Sequence, residues 1–188
     1  MPATELDPRT ALVVIDLQMG IVRYPTAHPV AEVIANAARL AAAFRAKWLP
    51  VVLVTVGPSR DSGDALRPRA QVVRPVQWSE EFAQLVPEMA PAPGDLRIHK
   101  RQPNAFFGTE LDLQLRRRGV TGIVLTGIAT SIGVDTTARA AHERGYNVTF
   151  AEDAITDLDA EAHDLEIRKV FPRLGEIDST DAILALLG

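Results

Sequence analysis

The chain has 188 residues, a formal net charge of −4 and no cysteine. This length is typical of a single domain, residues 1–188, that can build a hydrophobic core without covalent cross-links. The absence of cysteine excludes disulfides, thiolate catalysis and sulfur-ligated metals, and the acidic balance argues against nucleic-acid binding.

The first third of the sequence predicts a β-α-β unit. Residues 11–15 form an apolar run that ends at Asp16, and residues 51–56 form a second one. Continuous apolar runs are typical of strands covered on both faces. Between them, apolar residues recur at helical spacing over residues 28–48. The polar N-terminal stretch and the lack of a long apolar run predict a cytoplasmic protein without membrane segments.

The least regular segment spans residues 57–78 and contains several prolines, glycines and arginines. Long loops in compact domains often have a function. Two interpretations stay open: a lid or substrate-facing loop, and a solvated surface loop. After it, residues 80–86 predict a short helix that ends at Pro87.

The second half alternates strands and helices. Predicted strands cover residues 96–100, 123–125, 147–152 and 175–178. Predicted helices begin at Thr109, Ser131, Asp159 and Ser179, and they end near Gly119, Gly145, Val170 and Leu187. This alternation predicts an α/β fold with a six-stranded, doubly wound parallel sheet.

Three residues stand where strands end or the following helix begins. Asp16 follows the first strand, Lys100 ends the strand after the long loop, and Gly133 lies at the start of the helix after the central strand. Because ligands of such sheets bind outside the carboxyl ends of the strands, we expect these residues to face one pocket.

Three sequence motifs resemble those of the isochorismatase-like, or cysteine hydrolase, family. They read VVIDLQMG, HKRQPNAFFGTELDLQLRRRGV and TGIATSIGVDTTARAA, and they occur in the family's order. The resemblance implies a three-layer α/β/α sandwich with a Rossmann-like strand order of 3-2-1-4-5-6. It also implies a homo-oligomer, with the loop of residues 57–78 near an interface or forming a lid.

The resemblance also implies roles for individual residues. Asp16 corresponds to the catalytic aspartate, Lys100 to its partner, and Gly133 to the position of the cysteine nucleophile. Substrate-binding positions are implied at Gln18, Phe106, Ala129 and Thr130. The backbone amides of Ala129 and Gly133 correspond to an oxyanion hole beside a cis peptide bond between Ile128 and Ala129.

Gly133 leaves three functional interpretations open, because glycine cannot act as a nucleophile. True isochorismatases also have glycine here and cleave an enol ether to pyruvate, with the aspartate as general acid; this predicts a hydrolase for a small carboxylated ether such as isochorismate. The alternatives are a non-catalytic binding module and an amidase or nicotinamidase-like enzyme inactivated by replacement of cysteine. We expect none of the nearby hydroxyls of Thr130, Ser131, Thr136 and Thr137 to replace the thiol.

An isochorismatase-like reaction requires groups that bind the carboxylates of a small-molecule substrate. The candidates are the polar side chains of the irregular segment: Arg60, Arg67, Arg69, Arg74 and Gln77. No metal or other cofactor is expected, because the paired histidines of metal-binding nicotinamidases have no counterpart here. We expect His99 to be packed or hydrogen-bonded instead.

Overall fold

The computed structural model describes residues 2–67, 69–70, 78–79 and 81–188. Its strands are β1 Thr10–Ile15, β2 Val51–Val56, β3 Leu96–Lys100, β4 Gly122–Ile128, β5 Asn147–Thr156 and β6 Glu176–Asp178. They form one parallel sheet in the order β3-β2-β1-β4-β5-β6. The predicted α/β fold and strand order are therefore confirmed.

Helices cover both faces of this sheet. They are α1 Met19–Val22, α2 Val30–Ala46, α3 Leu111–Arg117, α4 Asp135–Glu143, α5 Ala160–Leu165 and α6 Thr180–Leu187. Single 3₁₀ turns occupy Pro87–Met89 and Phe171–Arg173, and π-helical turns occupy Thr130–Val134 and Glu166–Val170. None of the helices in the described residues is long and apolar enough to cross a lipid bilayer.

The alternating side chains of β1 divide the core into two layers. Leu12 and Val14 pack with residues of α2 and α6, whereas Val13 and Ile15 pack with residues of α3 and α4. Every residue of β1 is buried. This explains why the strand is a continuous apolar run rather than an alternating one.

The central strand β4 continues past the predicted end at Thr126 and Gly127. Gly127 pairs with Ile15 of β1, and Ile128 pairs with Thr156 of β5. Gly127 has a φ of 117°, and a Cβ atom there would lie 2.0 Å from the Ile15 carbonyl oxygen. Glycine therefore permits a close approach of the two strands rather than ending one of them.

Several other predicted boundaries need correction. β5 extends to Thr156 instead of residue 152. The helix capped by Asp159 ends at Leu165 and gives way to the π and 3₁₀ turns, although Asp159 and Ser179 do cap their helices through side-chain hydrogen bonds. The predicted helix over residues 80–86 was wrong for the described residues. Residues 81–83 form a turn, Leu85 forms an isolated β-bridge with Gln18, and a 3₁₀ turn begins at Pro87.

Candidate active site

The strand order brings the predicted residues together. β1 lies between β2 and β4, so Asp16 at the end of β1 faces the helix start that follows β4. Lys100 ends β3, two strands away on the other side. The strand order reverses between β1 and β4, which is where open α/β sheets form ligand crevices.

Asp16 and Lys100 form a buried ion pair. The Lys100 Nζ atom lies 2.8 Å from Asp16 Oδ2, and the side chains are 1% and 7% exposed. Nζ also donates a hydrogen bond of 2.6 Å to the Pro103 carbonyl oxygen. These two contacts fix the ammonium group above the end of β1.

The Asp16 carboxyl is set up to exchange a proton near neutral pH. Burial raises its pKa to about 6, against the opposing charge and hydrogen bond of Lys100. Its Oδ1 atom is buried and has no hydrogen-bond partner in the described part of the chain. Asp16 also has a φ of 53°, a left-handed conformation that is uncommon outside glycine and found often at functional sites.

Gly133 faces this ion pair. A Cβ atom at Gly133 would lie 3.3 Å from Asp16 Oδ2, 3.3 Å from Lys100 Nζ and 2.9 Å from a methyl group of Ile15. Gly133 belongs to the π-helical turn, which follows a cis peptide bond between Ile128 and Ala129. A side chain at position 133 would therefore contact both charged groups.

Asp157 anchors the start of this turn, a role that the sequence analysis missed. Its Oδ2 accepts hydrogen bonds from the Ser131 amide at 2.6 Å and from the Ser131 hydroxyl at 2.8 Å. Its Oδ1 accepts from the amides of Leu158 and Asp159. A signal was available, because an aspartate directly after a parallel strand is well placed to bind a helix start at the same sheet edge.

The hydroxyls near Gly133 are all held in hydrogen bonds elsewhere. Thr130 Oγ1 lies 2.7 Å from His163 Nδ1, and Thr136 donates to the Ile132 carbonyl. Thr137 Oγ1 accepts from the Ala105 amide, and Ser131 is bound to Asp157. None of the four lines the cavity described next, so the site offers no alternative hydroxyl in place to act as a nucleophile.

A cavity of about 210 Å³ opens over the ion pair. Asp16, Lys100, Gly133 and Ala129 contribute to its lining, and most of the remaining wall is apolar, including Ile21, Val56, Leu66, Trp78, Ile132 and Leu158. Arg101 and Gln102 supply the other polar side chains among the described residues. This volume lies below the usual range for drug-sized ligands, so the cavity suits a small substrate.

Three of the four expected substrate-binding residues, Gln18, Phe106 and Thr130, do not line this cavity. Phe106 is buried in the core, where its ring packs near Tyr146 with centroids 5.8 Å apart. The fully buried Gln18 side chain bonds the Val56 amide at 2.8 Å, the Val56 carbonyl at 3.0 Å and the Phe82 carbonyl at 2.9 Å. Phe106 therefore lies in the core rather than in the wall of this cavity, and Gln18 holds chain segments together.

The arginine candidates also need revision. Arg60, Arg67 and Arg69 do not line the cavity, and Arg74 and Gln77 lie outside the described residues. The cavity is lined instead by Arg101, which follows Lys100 directly. Sequence reasoning overlooked it because a charged residue after a strand is usually solvated.

His99 was expected to be packed or hydrogen-bonded rather than to bind a metal. Its Nδ1 lies 2.9 Å from Thr55 Oγ1 and its Nε2 lies 3.1 Å from the Gly57 carbonyl oxygen. Burial and the nearby Arg101 lower its pKa. Both ring nitrogens are therefore engaged in hydrogen bonds, as expected.

A comparison with known families matches residues 10–182 to the isochorismatase domain. This chain belongs to the isochorismatase family. It is 46% identical to the isochorismatase family protein YecD of Escherichia coli O157:H7, over 95% of this chain and 96% of YecD. An isochorismatase-family structure from Burkholderia thailandensis superposes with a TM-score of 0.94 at 42% identity, covering 97% of each chain.

A shorter similarity connects the chain with an amide-cleaving enzyme. The ureidoacrylate amidohydrolase RutB of Caulobacter vibrioides is 44% identical over 78 residues, which are 42% of this chain and 33% of RutB. Together with the family assignment, this supports a plain conclusion: the chain is an isochorismatase-family hydrolase.

Proposed function

We propose that this hydrolase cleaves a small carboxylated enol ether, of which isochorismate is one example, without a covalent intermediate. The observation that carries the proposal is the buried Asp16 carboxyl. Its raised pKa of about 6 suits a general acid near neutral pH, and it faces Gly133, where no side chain can attack a substrate.

In the proposed reaction the Asp16 carboxyl donates its proton to the methylene carbon of the enol ether. Protonation of the double bond produces an oxocarbenium ion. Water adds to it, the resulting hemiketal releases the alcohol, and the other product is a keto acid such as pyruvate.

Lys100 stabilises the carboxylate that Asp16 becomes after proton transfer. The ion pair is nearly dry, so this attraction is stronger than it would be in water. One proton of the attacking water restores Asp16, which balances the reaction. The backbone amides near Ala129 and Gly133 are the proposed contacts for the substrate oxygen or the attacking water.

A second candidate, amide hydrolysis, is favoured by the similarity to RutB. A Cβ atom at position 133 would also lie 3.3 Å from both charged groups, although Ile15 or the helical turn would have to move to admit it. However, the cavity walls offer no thiol or hydroxyl among the described residues. We therefore favour the acid-catalysed reaction, and the turnover assays below include a substrate that reports amide cleavage.

Turnover assays with three substrates test this proposal. Isochorismate and a 1-carboxyvinyl ether of a simple alcohol both release pyruvate on hydrolysis, and ureidoacrylate reports amide cleavage. We expect pyruvate release by the wild type and its loss in Asp16→Asn, with Asp181→Asn as the matched surface control. Cleavage of ureidoacrylate alone would overturn the proposal in favour of an amidase, and no turnover of any of the three would favour a non-catalytic module.

A further inference from the structure

The polar groups of the cavity wall define which substrates can be bound. Four polar side chains line it among the described residues: Asp16, Lys100, Arg101 and Gln102. Lys100 is already bound to Asp16 and Pro103. The Gln102 amide donates to the carbonyl oxygens of Asn104 and Phe107. Arg101 is therefore the cation best placed to bind an anionic group of the substrate.

Arg101 is held in a fixed orientation. Its Nε donates to Asp64 Oδ2 at 2.7 Å, and its Nη1 donates to the Gly57 carbonyl oxygen at 3.0 Å. A guanidinium carries five N–H donors, so three remain beyond these two bonds. An arginine side chain that is already held in place loses less conformational entropy on binding a carboxylate than a mobile arginine does.

Asp64 is itself held in place by hydrogen bonds from Ser59, in the loop after β2. Its Oδ1 accepts hydrogen bonds from the Ser59 amide at 2.5 Å and from the Ser59 hydroxyl at 2.7 Å. These bonds, with Arg101, lower the pKa of Asp64 to about 2. The carboxylate stays ionised at working pH and keeps Arg101 in place.

The other described residues of the cavity wall disfavour binding of a second negative charge on the substrate. Val56, Leu66, Trp78 and Ile132 cover much of the cavity with apolar surface. Burying a carboxylate against such surface without a partner is strongly unfavourable. With Lys100 committed to Asp16, the described wall offers one anion site and an apolar compartment beside it.

We propose that the natural substrate is a small monocarboxylate with an apolar body, whose carboxylate binds Arg101 while its reactive bond lies at Asp16. This inference rests on the proposed function and narrows its substrate class, since it places dianions such as isochorismate below monoanions. Arg101 is then a substrate-binding and specificity-determining residue.

Calorimetric titration with benzoate, benzamide and isophthalate tests the inference without turnover. The three probes share one ring and carry one, zero and two negative charges. We expect benzoate to bind at least about tenfold more tightly than either of the others, because a charge-assisted hydrogen-bond pair on Arg101 serves one carboxylate. The preference over benzamide should weaken as salt is raised, since Arg101 is partly exposed.

Three substitutions test whether Arg101 causes this preference. Arg101→Met should remove the preference for benzoate over benzamide. Arg97→Met, on β3 shortly before Arg101 but outside this cavity, should leave the preference unchanged. Arg101→Lys keeps the charge without the planar fork and should retain part of the preference. Circular dichroism and the melting temperature show whether each variant folds.

Several outcomes would overturn the inference. They are equal or tighter binding of benzamide or isophthalate, an unchanged preference in Arg101→Met, and no binding of any probe. Pyruvate release from enol ethers without the benzoate preference would defeat this inference alone. The benzoate preference without any turnover would defeat only the proposed hydrolysis.

Discussion

At the scale of single residues, Gly133 decides what chemistry the Asp16–Lys100 pair can perform. The position that a Cβ atom would take is 3.3 Å from both charged groups. A thiol there would lie beside an ammonium group, which favours the thiolate. Without a side chain, the same space is available to substrate or water against the start of a helix.

We predict that Gly133→Cys folds and carries a reactive thiol with a pKa below the ordinary value of about 8.5. The closest contact of the new Cβ atom is the Cγ2 methyl of buried Ile15 at 2.9 Å, so Ile15 or the helical turn must move to admit it. The variant should also lose enol-ether turnover, because the thiol fills the space. The alkylation rate measured against pH reports the thiol pKa.

Thr136→Cys is the matched control for this measurement. Thr136 lies in the first turn of α4, directly after the π-helical turn that contains Gly133, and does not line the cavity. We expect its thiol to titrate close to the ordinary value. If the Gly133→Cys thiol titrates there as well, Lys100 does not act on position 133 and the assignment of the site is wrong.

At the scale of elements, the sequence predicts which segments form strands better than it predicts what joins them. Asp16 and Lys100 were placed correctly at one sheet edge because buried apolar runs mark strands and parallel order fixes their ends. The role of Gln18 could not be predicted, since its partners at Val56 and Phe82 are distant in the sequence. Arg101 was overlooked and Phe106 was expected in the pocket, because the direction in which a loop side chain points is not known until the chain is folded.

We predict that Gln18→Met lowers the free energy of unfolding by about 2–4 kcal/mol. The substitution keeps the volume of the side chain but leaves polar backbone groups of Val56 and Phe82 buried without partners. Urea denaturation measures the change. Gln114→Met on α3 is the control and should stay within about 0.5 kcal/mol of the wild type. A similarly small change for Gln18→Met would show that the hydrogen bonds from Gln18 to Val56 and Phe82 do not stabilise the fold.

At the scale of the whole molecule, the buried Asp16 carboxyl makes stability depend on pH. Its pKa is raised to about 6 in the folded chain, from an ordinary value of 3.8. Between these pH values the folded state binds more protons than the unfolded state. The contribution of Asp16 to stability is therefore full below pH 3.8 and is lost as the pH rises through about 6.

The double variant Asp16→Asn/Lys100→Gln isolates this contribution, because it removes the Asp16 carboxyl without leaving the Lys100 ammonium as a lone buried charge. We predict that the stability of the wild type relative to this variant falls by up to about 3 kcal/mol between pH 4 and pH 7. Other titrating groups, such as His163, cancel in the difference. A difference that stays constant or rises with pH would show that Asp16 is not a carboxyl with a raised pKa.

The predicted oligomer is also a property of the whole molecule. Phe107 and Leu165 are large apolar side chains that are 68% and 53% exposed. Association of copies would cover such surface, and we expect sedimentation at micromolar concentration to show a species larger than a monomer. A monomer at that concentration would contradict this prediction but not the proposed chemistry.

The measurement that tests the central claim most directly is the pH dependence of kcat/KM for hydrolysis of a 1-carboxyvinyl ether. Because Asp16 must be protonated to act, we expect kcat/KM to fall about tenfold per pH unit above about pH 6, after subtraction of the uncatalysed rate. Asp16→Asn/Lys100→Gln should lose at least about 100-fold while remaining folded. A rate that is flat or rises across this range, or that survives in the double variant, would contradict general-acid catalysis by Asp16.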